Sequence, residues 1–509
     1  MKRYKHNLSN QRLLTANQGF LVPINCLFIN PGDSVQAYSD VFTRVSPLQK
    51  PILSSVEMKV HHWWVPLRQI WQDAEDFITG GEDGNAMPEY PYMLAPASTG
   101  YAEKSLGDYL GLETGVADYK HSALPFRAVN RIWNYNYRDK RFQTERVIAT
   151  TSGNDTTTDR TLPTIAWEKD YFTTASDSPQ LGDPVTIPLA GTAPVTGLGK
   201  QNQTFSGTTS PTLYESDGNS RTYASYSGIN AGNASSTVYA EENPDRAGYM
   251  NIQALLEEAT GIDVITLRRT LALQRFQEAR GQWGSDYADY LRYLGIRPSD
   301  GRLNRPEYLG GGKRPLQFSE VLQTAPNSDE GTSEDQGVAS LYGHGIGTMR
   351  SNRFRRFFEE HGYMISFLYV KPRTLYANGI ERHWLYNNKY DIFQKELQHI
   401  GQQEIRAAEV KVTVGGVGTT NLDVWGYQDR YDELRRSRST VHGKFRSTEA
   451  DWHMGRIFPT RPDLDEDFIK CDPTDRVYST PADDQLYMKV INHVVAKRAV
   501  APVGIARII

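Results

Sequence analysis

The chain has 509 residues, 39% of them hydrophobic and 11% aromatic, with 29 Tyr and a formal net charge of −4. That length suits two or three domains, or one domain with large insertions, and is enough to bury a sizeable core. The mildly acidic balance argues against a dedicated nucleic-acid-binding protein, which carries a strong basic excess. Two cysteines, Cys26 and Cys471, exclude a disulfide framework and a Cys-based zinc site.

Charge is distributed unevenly. Lys2, Arg3, Lys5 and Arg12 open the chain with no acid among them, and Lys489, Lys497, Arg498 and Arg507 follow the last acid, Asp484. Basic ends on a near-neutral body fit a protein that meets nucleic acid on one side; short solvated tails are the plain alternative. No apolar run follows MKRYKHNLSNQR, so no signal peptide is visible, and no stretch approaches the roughly 18 apolar residues of a membrane span. The expectation is a soluble protein made in a cytoplasm.

Taken in chain order, Asn30-Pro31-Gly32-Asp33 has turn residues. Val56, Met58, Val60, His62 and Trp64 then alternate with Glu57, Lys59, His61 and Trp63, the period of a strand with two unlike faces, and Pro66 closes it. A short helix is expected around Ile70–Ile78. From about Thr150 to Ala240 nearly half the residues are Ser, Thr, Gly or Asn, and acids outnumber bases. Aromatic residues recur through that stretch, which favours an ordered surface insertion over a disordered linker. Ile265, Leu267, Leu271, Leu273 and Phe276 recur near helical spacing, giving a helix over Asp263–Gln277. Further strands are expected at Tyr363–Val370 and at Val410–Val414, where Val410, Val412 and Val414 share a face. Many strands with a few inserted helices point to a β-sandwich rather than an alternating βα fold.

Groups that could carry chemistry are few. Neighbours on a strand point to opposite faces, so His61 and His62 cannot share one metal ion and read as structural. Gly343-His344-Gly345-Ile346-Gly347 lacks the spacing of a phosphate loop. Gly310-Gly311-Gly312-Lys313 has Arg314 where a magnesium-binding hydroxyl is needed, and both glycine runs read as tight turns. Asp463, Asp465, Glu466 and Asp467 lack the glycine and distal Glu of a calcium loop. The sequons at Asn154, Asn202 and Asn233 are expected by chance in so Asn-rich a segment. Arg350, Arg353, Arg355 and Arg356 interleave with Phe354, Phe357 and Phe358, and Arg435, Arg436 and Arg438 precede Lys444 and Arg446. Arginines with aromatics suit single-stranded nucleic acid, but Glu359, Glu360, Asp432 and Glu433 adjoin them, and ion pairs account for them as well.

Seven blocks in order carry a resemblance. Pro31-Gly32-Asp33 with Phe42-Thr43-Arg44 and Pro47 forms the first. Trp63–Trp71 with Phe77–Gly84 (FITGGEDG) forms the second, and Leu124–Ala128 with Tyr137-Arg138-Asp139 the third. Leu271–Gly281 (LALQRFQEARG), Arg302–Gly312 (RLNRPEYLGGG), Glu360–Tyr363 (EHGY) and Gly426–Tyr431 (GYQDRY) complete the set. Together they resemble the major capsid protein of gokushovirus-type Microviridae, small tailless bacteriophages with circular single-stranded DNA, over most of the chain outside Thr150–Ala240.

The resemblance implies a mainly β protein: an eight-stranded jelly-roll β-sandwich of viral capsid type, with long inter-strand insertions and a few helices. It implies sixty copies in a T=1 icosahedral shell, no catalysis, no cofactor and no metal. The implied partners are the chain itself, packaged single-stranded DNA, a small basic DNA-binding protein, a DNA pilot protein and a host cell-surface receptor. The implied location is the virion, assembled in the host bacterial cytoplasm. The expected division is 1–149 as the first part of the jelly roll with a basic arm, 150–245 as a variable outer protrusion, and 246–509 as a helical insertion, the remaining strands and a basic tail. Lys2, Arg3, Lys5, Arg12, Lys497, Arg498 and Arg507 are the DNA-facing candidates; Trp167, Tyr171, Tyr214, Tyr223 and Tyr226 are the host-contact candidates. The competing reading, from the Trp and Tyr content, is a carbohydrate-binding or glycoside-hydrolysing β-sandwich, which would need aromatics and carboxylates converging in one cleft.

Overall fold

In the strand Val56–Pro66, Val56, Met58 and Val60 are fully buried while Glu57, Lys59 and His61 are half-buried, as the period-2 pattern requires. A computed structural model of the chain describes residues 2–183, 264–300 apart from 285, 286 and 298, 304–322, 341–414 and 419–503, with a few short pieces between 185 and 254. It divides into one unit made of Met1–Pro179 with Trp283–Ile509 and a second made of Gln180–Gln282.

Among the described residues the first unit has a short antiparallel strand pair, Tyr92–Leu94 with Lys120–Ser122, and thirteen further strands whose pairings with one another are antiparallel: β1 (Tyr4–Asn7), β2 (Asn10–Ala16), β3 (Val22–Ile29), β4 (Ser34–Val45), β5 (Val56–Pro66), β6 (Glu307–Pro315), β7 (Gln317–Leu322), β8 (Leu341–Arg350), β9 (Phe354–Phe357), β10 (Gly362–Pro372), β11 (Gln402–Arg406), β12 (Val424–Asp429) and β13 (Leu486–Arg498). One sheet has seven strands: β13 lies between β4 and the consecutive strands β1 and β2, the other edge of β4 pairs with both β8 and β9 along different stretches, and β8 pairs in turn with β7. The other has four, in the order β6-β5-β10-β3. β11 and β12 form a separate ribbon.

The two large sheets face each other. Val41, Met488 and Val490 of the seven-stranded sheet share a buried cluster with Ile24, Met58 and Leu368 of the four-stranded one. Each such side chain contributes roughly 1.5–3 kcal/mol on burial. The outer side of the four-stranded sheet is covered as well: Trp63, Ile365 and Phe367 pack with Phe126, Val129 and Trp133 of the helix Leu124–Asn136. β10 is thus buried on both faces and reads MISFLYV without alternation. The helix begins with proline in its first turn, a position that needs no N–H partner. The Pro31-Gly32 turn closes as expected, with Asp33 N–H donating to the Asn30 carbonyl at 3.1 Å.

Several expectations are corrected. Val410–Val414 is not a strand: Ala407–Val410 is a helical turn whose Glu409 is buried and accepts from the Arg406 N–H, and Val410 enters a core cluster. The helix expected at Ile70–Ile78 occupies Ala74–Thr79 and ends on Gly80 in the left-handed region. Both glycine runs are strands, not turns. A Cβ on Gly311 of β6 would lie 2.2 Å from the Val60 carbonyl oxygen, so the residue is set by close strand packing.

The second unit carries the helix Val264–Trp283 up to Gln282, longer than the expected Asp263–Gln277. Its apolar side chains do not make one stripe: at about 100° per residue Leu271 falls far round the axis from Ile265, and both are exposed. The unit begins at Gln180 rather than at residue 150, and residues 150–179 belong to the first unit.

Candidate nucleic-acid interface

Side-chain alternation fixes what the seven-stranded sheet shows on the face turned away from the sandwich core. On β4, Val35, Ala37, Val41 and Val45 point inward, which leaves Tyr38, Asp40, Phe42 and Arg44 outward. On β13, Leu486, Met488, Val490 and Val494 point inward, which leaves Tyr487, Lys489, His493 and Lys497 outward. Registers between the strands add Lys5 opposite Lys497, and Arg350 opposite Asp40. The outward strand positions therefore carry Lys5, Arg44, Arg350, Arg355, Lys489 and Lys497 against one carboxylate, Asp40, among the described residues.

Aromatic rings lie within this field. Tyr38 and His493 stack with centroids 4.5 Å apart, and the Arg350 guanidinium lies 5.3 Å from the Tyr38 centroid. Arg350 grips Asp40 through two parallel bonds of 2.7 and 2.8 Å, and His493 Nε2 lies 3.2 Å from the same carboxylate. Those contacts, Arg350 first, hold the Asp40 carboxyl below its ordinary range. Arg44 lies over Phe42 at 5.8 Å. Two open grooves cross the surface, about 990 and 740 Å³ in volume, and both are lined by Phe42 and Lys489. At the sheet edge Lys5 faces Lys497 directly, a like-charge cross-strand pair that costs stability until an anion comes between them.

The candidates from sequence divide by what they touch. Lys2, Lys5 and Lys497 are exposed. Arg3 donates to the Gly32 carbonyl at 2.9 Å, Arg12 to the Tyr109 carbonyl at 2.8 Å and Arg498 to the Phe28 carbonyl at 2.8 Å; Arg498 also pairs with the buried Asp33 at 2.9 Å. These three arginines pin the first and last strands to the body. Arg507 lies outside the described residues, as do Tyr214, Tyr223 and Tyr226. Trp167 and Tyr171 need correction as host contacts, because they are only 4% and 6% exposed: Trp167 packs in the core beneath the four-stranded sheet, and the Tyr171 hydroxyl donates to Glu409 at 2.9 Å. Of the two arginine clusters, Arg356 is held by Glu307 at 2.8 Å, and Arg435 and Arg436 lie within 4.0 Å of Asp432. Sequence reading passed over Tyr38, Arg44, Tyr487 and His493, although the alternation of β4 from Val35 to Val45 was the signal for the first two and that of β13 from Leu486 to Ala496 for the others.

Among the described residues, the groups that looked reactive in the sequence are taken up by structural partners. His61 meets the Tyr137 hydroxyl at 2.8 Å, whereas His62, on the opposite face, meets Ser366 and Ser351 at 2.7 and 3.0 Å. Burial pushes both imidazoles down to about 4. Asp465 caps the helical turn Glu466–Ile469 by accepting from the Phe468 N–H. The buried carboxylate Glu409 is taken up by Arg382 at 3.0 Å. Among the described residues no three His, Cys, Asp or Glu side chains are grouped to hold a metal ion, and no helix there is long and apolar enough to cross a membrane.

The profile of the family described as capsid protein (F protein), from phages, matches residues 1–506. The chain belongs to this phage capsid protein family. Capsid protein VP1 of Chlamydia phage 1 is 29% identical to the chain, over 94% of this chain and 91% of its own length. VP1 of Bdellovibrio phage phiMH2K is 30% identical over 88% and 84%, and VP1 of Spiroplasma virus 4 is 29% identical over 95% and 90%. This capsid protein is therefore a structural, non-enzymatic component of the virion that assembles with itself. Its mainly β, antiparallel architecture agrees with the reading from sequence.

Proposed function

We propose that sixty copies of this capsid protein, each a jelly-roll sandwich, close into a T=1 icosahedral shell around circular single-stranded DNA. The carrying observation is the family match along residues 1–506. The outward face of the seven-stranded sheet is assigned to the genome. Cations there neutralise phosphates while the exposed ring of Tyr487 offers a plane for an unpaired base, the combination used to hold single strands without sequence preference. Lys2 and Lys5 extend that surface from β1 and the residues before it, and Arg507 is retained as a further DNA-facing candidate. A small basic DNA-binding protein and a DNA pilot protein share the interior. Assembly takes place in the host bacterial cytoplasm.

The insertion beginning at residue 150 is assigned to host recognition. Its first thirty residues belong to the first unit, so we assign the displayed part to 180–245, keeping Tyr214, Tyr223 and Tyr226 as candidate receptor contacts. Light scattering and electron micrographs of purified particles test the shell: closed particles of sixtyfold monomer mass are expected, and pentamer-sized species with all partners supplied would refute it. Deleting 185–240 should leave particle yield intact and abolish adsorption to host cells; unchanged adsorption would remove the host role.

A further inference from the structure

One apolar surface of the first unit is left uncovered. Trp384 is 74% exposed, and Tyr390, Ile392, Phe393 and Leu434 are each half or more exposed. They gather around the 3-10 turn Asp432–Leu434: Tyr390, Ile392 and Phe393 are tied to its N-cap Tyr431, and Arg382 and Tyr386, which flank Trp384, reach its Glu433. Phe393 lies against the Tyr431 ring at 5.3 Å, the Tyr431 hydroxyl donates to the Ile392 carbonyl at 3.2 Å, and Arg430 donates to the Tyr390 carbonyl. On the other side Tyr386, next to the turn that carries Trp384, reaches Glu433 at 3.5 Å. Exposed large apolar groups gathered in this way mark a contact surface, and Trp, Tyr and Phe are the residues that anchor such contacts. The cations at its rim, Lys389 and Lys395, have no carboxylate partner within 4.0 Å among the described residues.

A complementary ledge stands elsewhere on the same unit. From Gln69 to Glu103 the sequence holds no Lys or Arg. Glu75, Asp76, Glu82 and Asp83 are exposed and have no ion-pair partner among the described residues. They flank exposed apolar groups: Phe77, packed on Trp71 at 4.9 Å, Ile78 next to it in the chain, and Met87 further along the same segment. The ledge is shaped rather than loose, since the Gly80 N–H donates to the Asp76 carbonyl and the Ala86 N–H to the Gly80 carbonyl.

We infer that the Asp73–Glu89 ledge of one copy docks on the Trp384–Leu434 surface of the next copy, Phe77 and Met87 against Trp384 and Phe393, with Glu82 and Asp83 facing Lys389 and Lys395. The two surfaces differ, so the contact is head-to-tail, the kind that closes into rings when the rotation permits. Apolar groups supply the affinity, and the opposed charges set register and reject the wrong pairing. This contact rests on the self-assembling shell and names the surfaces that build it.

Two experiments on the full chain test it. The variants Asp83→Cys and Lys389→Cys, differently tagged, are mixed and treated with a short bifunctional thiol reagent. Cys26 and Cys471 stay silent, because burial pushes their thiols up to about 12. Cross-links between the two tags, absent from either variant alone, are expected. Cross-linking without particles would uphold the contact and remove the icosahedral shell; particles without cross-linking would overturn the contact and leave the shell standing. In the second experiment, Lys389→Glu with Lys395→Glu should lower particle yield about tenfold, the effect of roughly 1.4 kcal/mol per contact. Adding Glu82→Lys and Asp83→Lys to the same chain should restore it. Reversal variants with the melting temperature and the particle yield of the parent would refute the pairing.

Discussion

Arg127 and Asp155 meet entirely out of solvent, Arg127 Nε donating to Asp155 Oδ2 at 2.8 Å with both side chains 0% exposed. The guanidinium also donates to the carbonyls of Ile70 and Thr151, while Asp155 accepts from the Thr158 N–H and hydroxyl. Every charge is compensated, and the pair ties residues 150–160 to the helix under the four-stranded sheet. Removing one partner leaves the other buried and unpaired, so Asp155→Ala should cost about 3–5 kcal/mol. Urea unfolding of the unassembled chain measures it.

Acid should loosen the sandwich through His61 and His62. Both titrate near 4 when folded against 6.5 ordinarily, burial being the main cause, so the unfolded chain takes up protons first as pH falls. Their stabilising contribution is complete above about pH 6.5 and is lost as pH falls from there through about 4, up to roughly 3 kcal/mol per histidine. His62→Gln should flatten the fall in melting temperature between pH 7 and pH 4, and an unchanged slope would remove His62 from the account.

On the cationic sheet face, Lys489→Ala and Lys497→Ala should each reduce the salt slope for binding an oligo-dT strand by about 0.7. Tyr487→Ala should cost about 1–3 kcal/mol of that binding, as loss of a stacking plane does. Asp40→Asn acts in the opposite direction: it releases Arg350 and removes the one carboxylate, so affinity rises. Fluorescence anisotropy at two salt concentrations reads all of these.

Gly311→Ala places a methyl 2.2 Å from the Val60 carbonyl oxygen and 2.6 Å from the Tyr308 hydroxyl. Backbone cannot swing aside, so the strands β5 and β6 must separate, at a cost of about 1–3 kcal/mol. A lower melting temperature with unchanged secondary structure by circular dichroism is the expected outcome.

Strands whose two faces meet different surroundings were plain in the sequence. β5 alternates because one face lies between the sheets and the other meets the helical layer, and its half-polar residues survive at the edge of that layer. Glycine in β6 and β8 misled, because it stands there for close approach of neighbouring strands and side chains, an effect that needs the partner to be seen. Val410–Val414 misled for the opposite reason: three alternating valines look like a strand, but the buried Glu409 beside Arg382 fixes a helical turn first. The acidic, serine-rich composition after residue 150 concealed Asp155, Trp167 and Tyr171, whose burial depends on partners far away in the chain. The cationic face proposed for nucleic acid was half legible: basic ends could be counted, but the field formed by β4, β8 and β13 exists only once their registers are known.

β13 sits between strands made at the other end of the chain, with β4 on one side and β1 and β2 on the other. A ribosome delivers it after every other strand of the sandwich, so until then β4 and β2 have an open slot between them and the cationic face lacks Lys489 and Lys497. Pairing between residues so distant in sequence is slow to form. A nascent or prematurely terminated chain thus presents neither a finished sheet nor the full set of outward cations that the completed sheet carries.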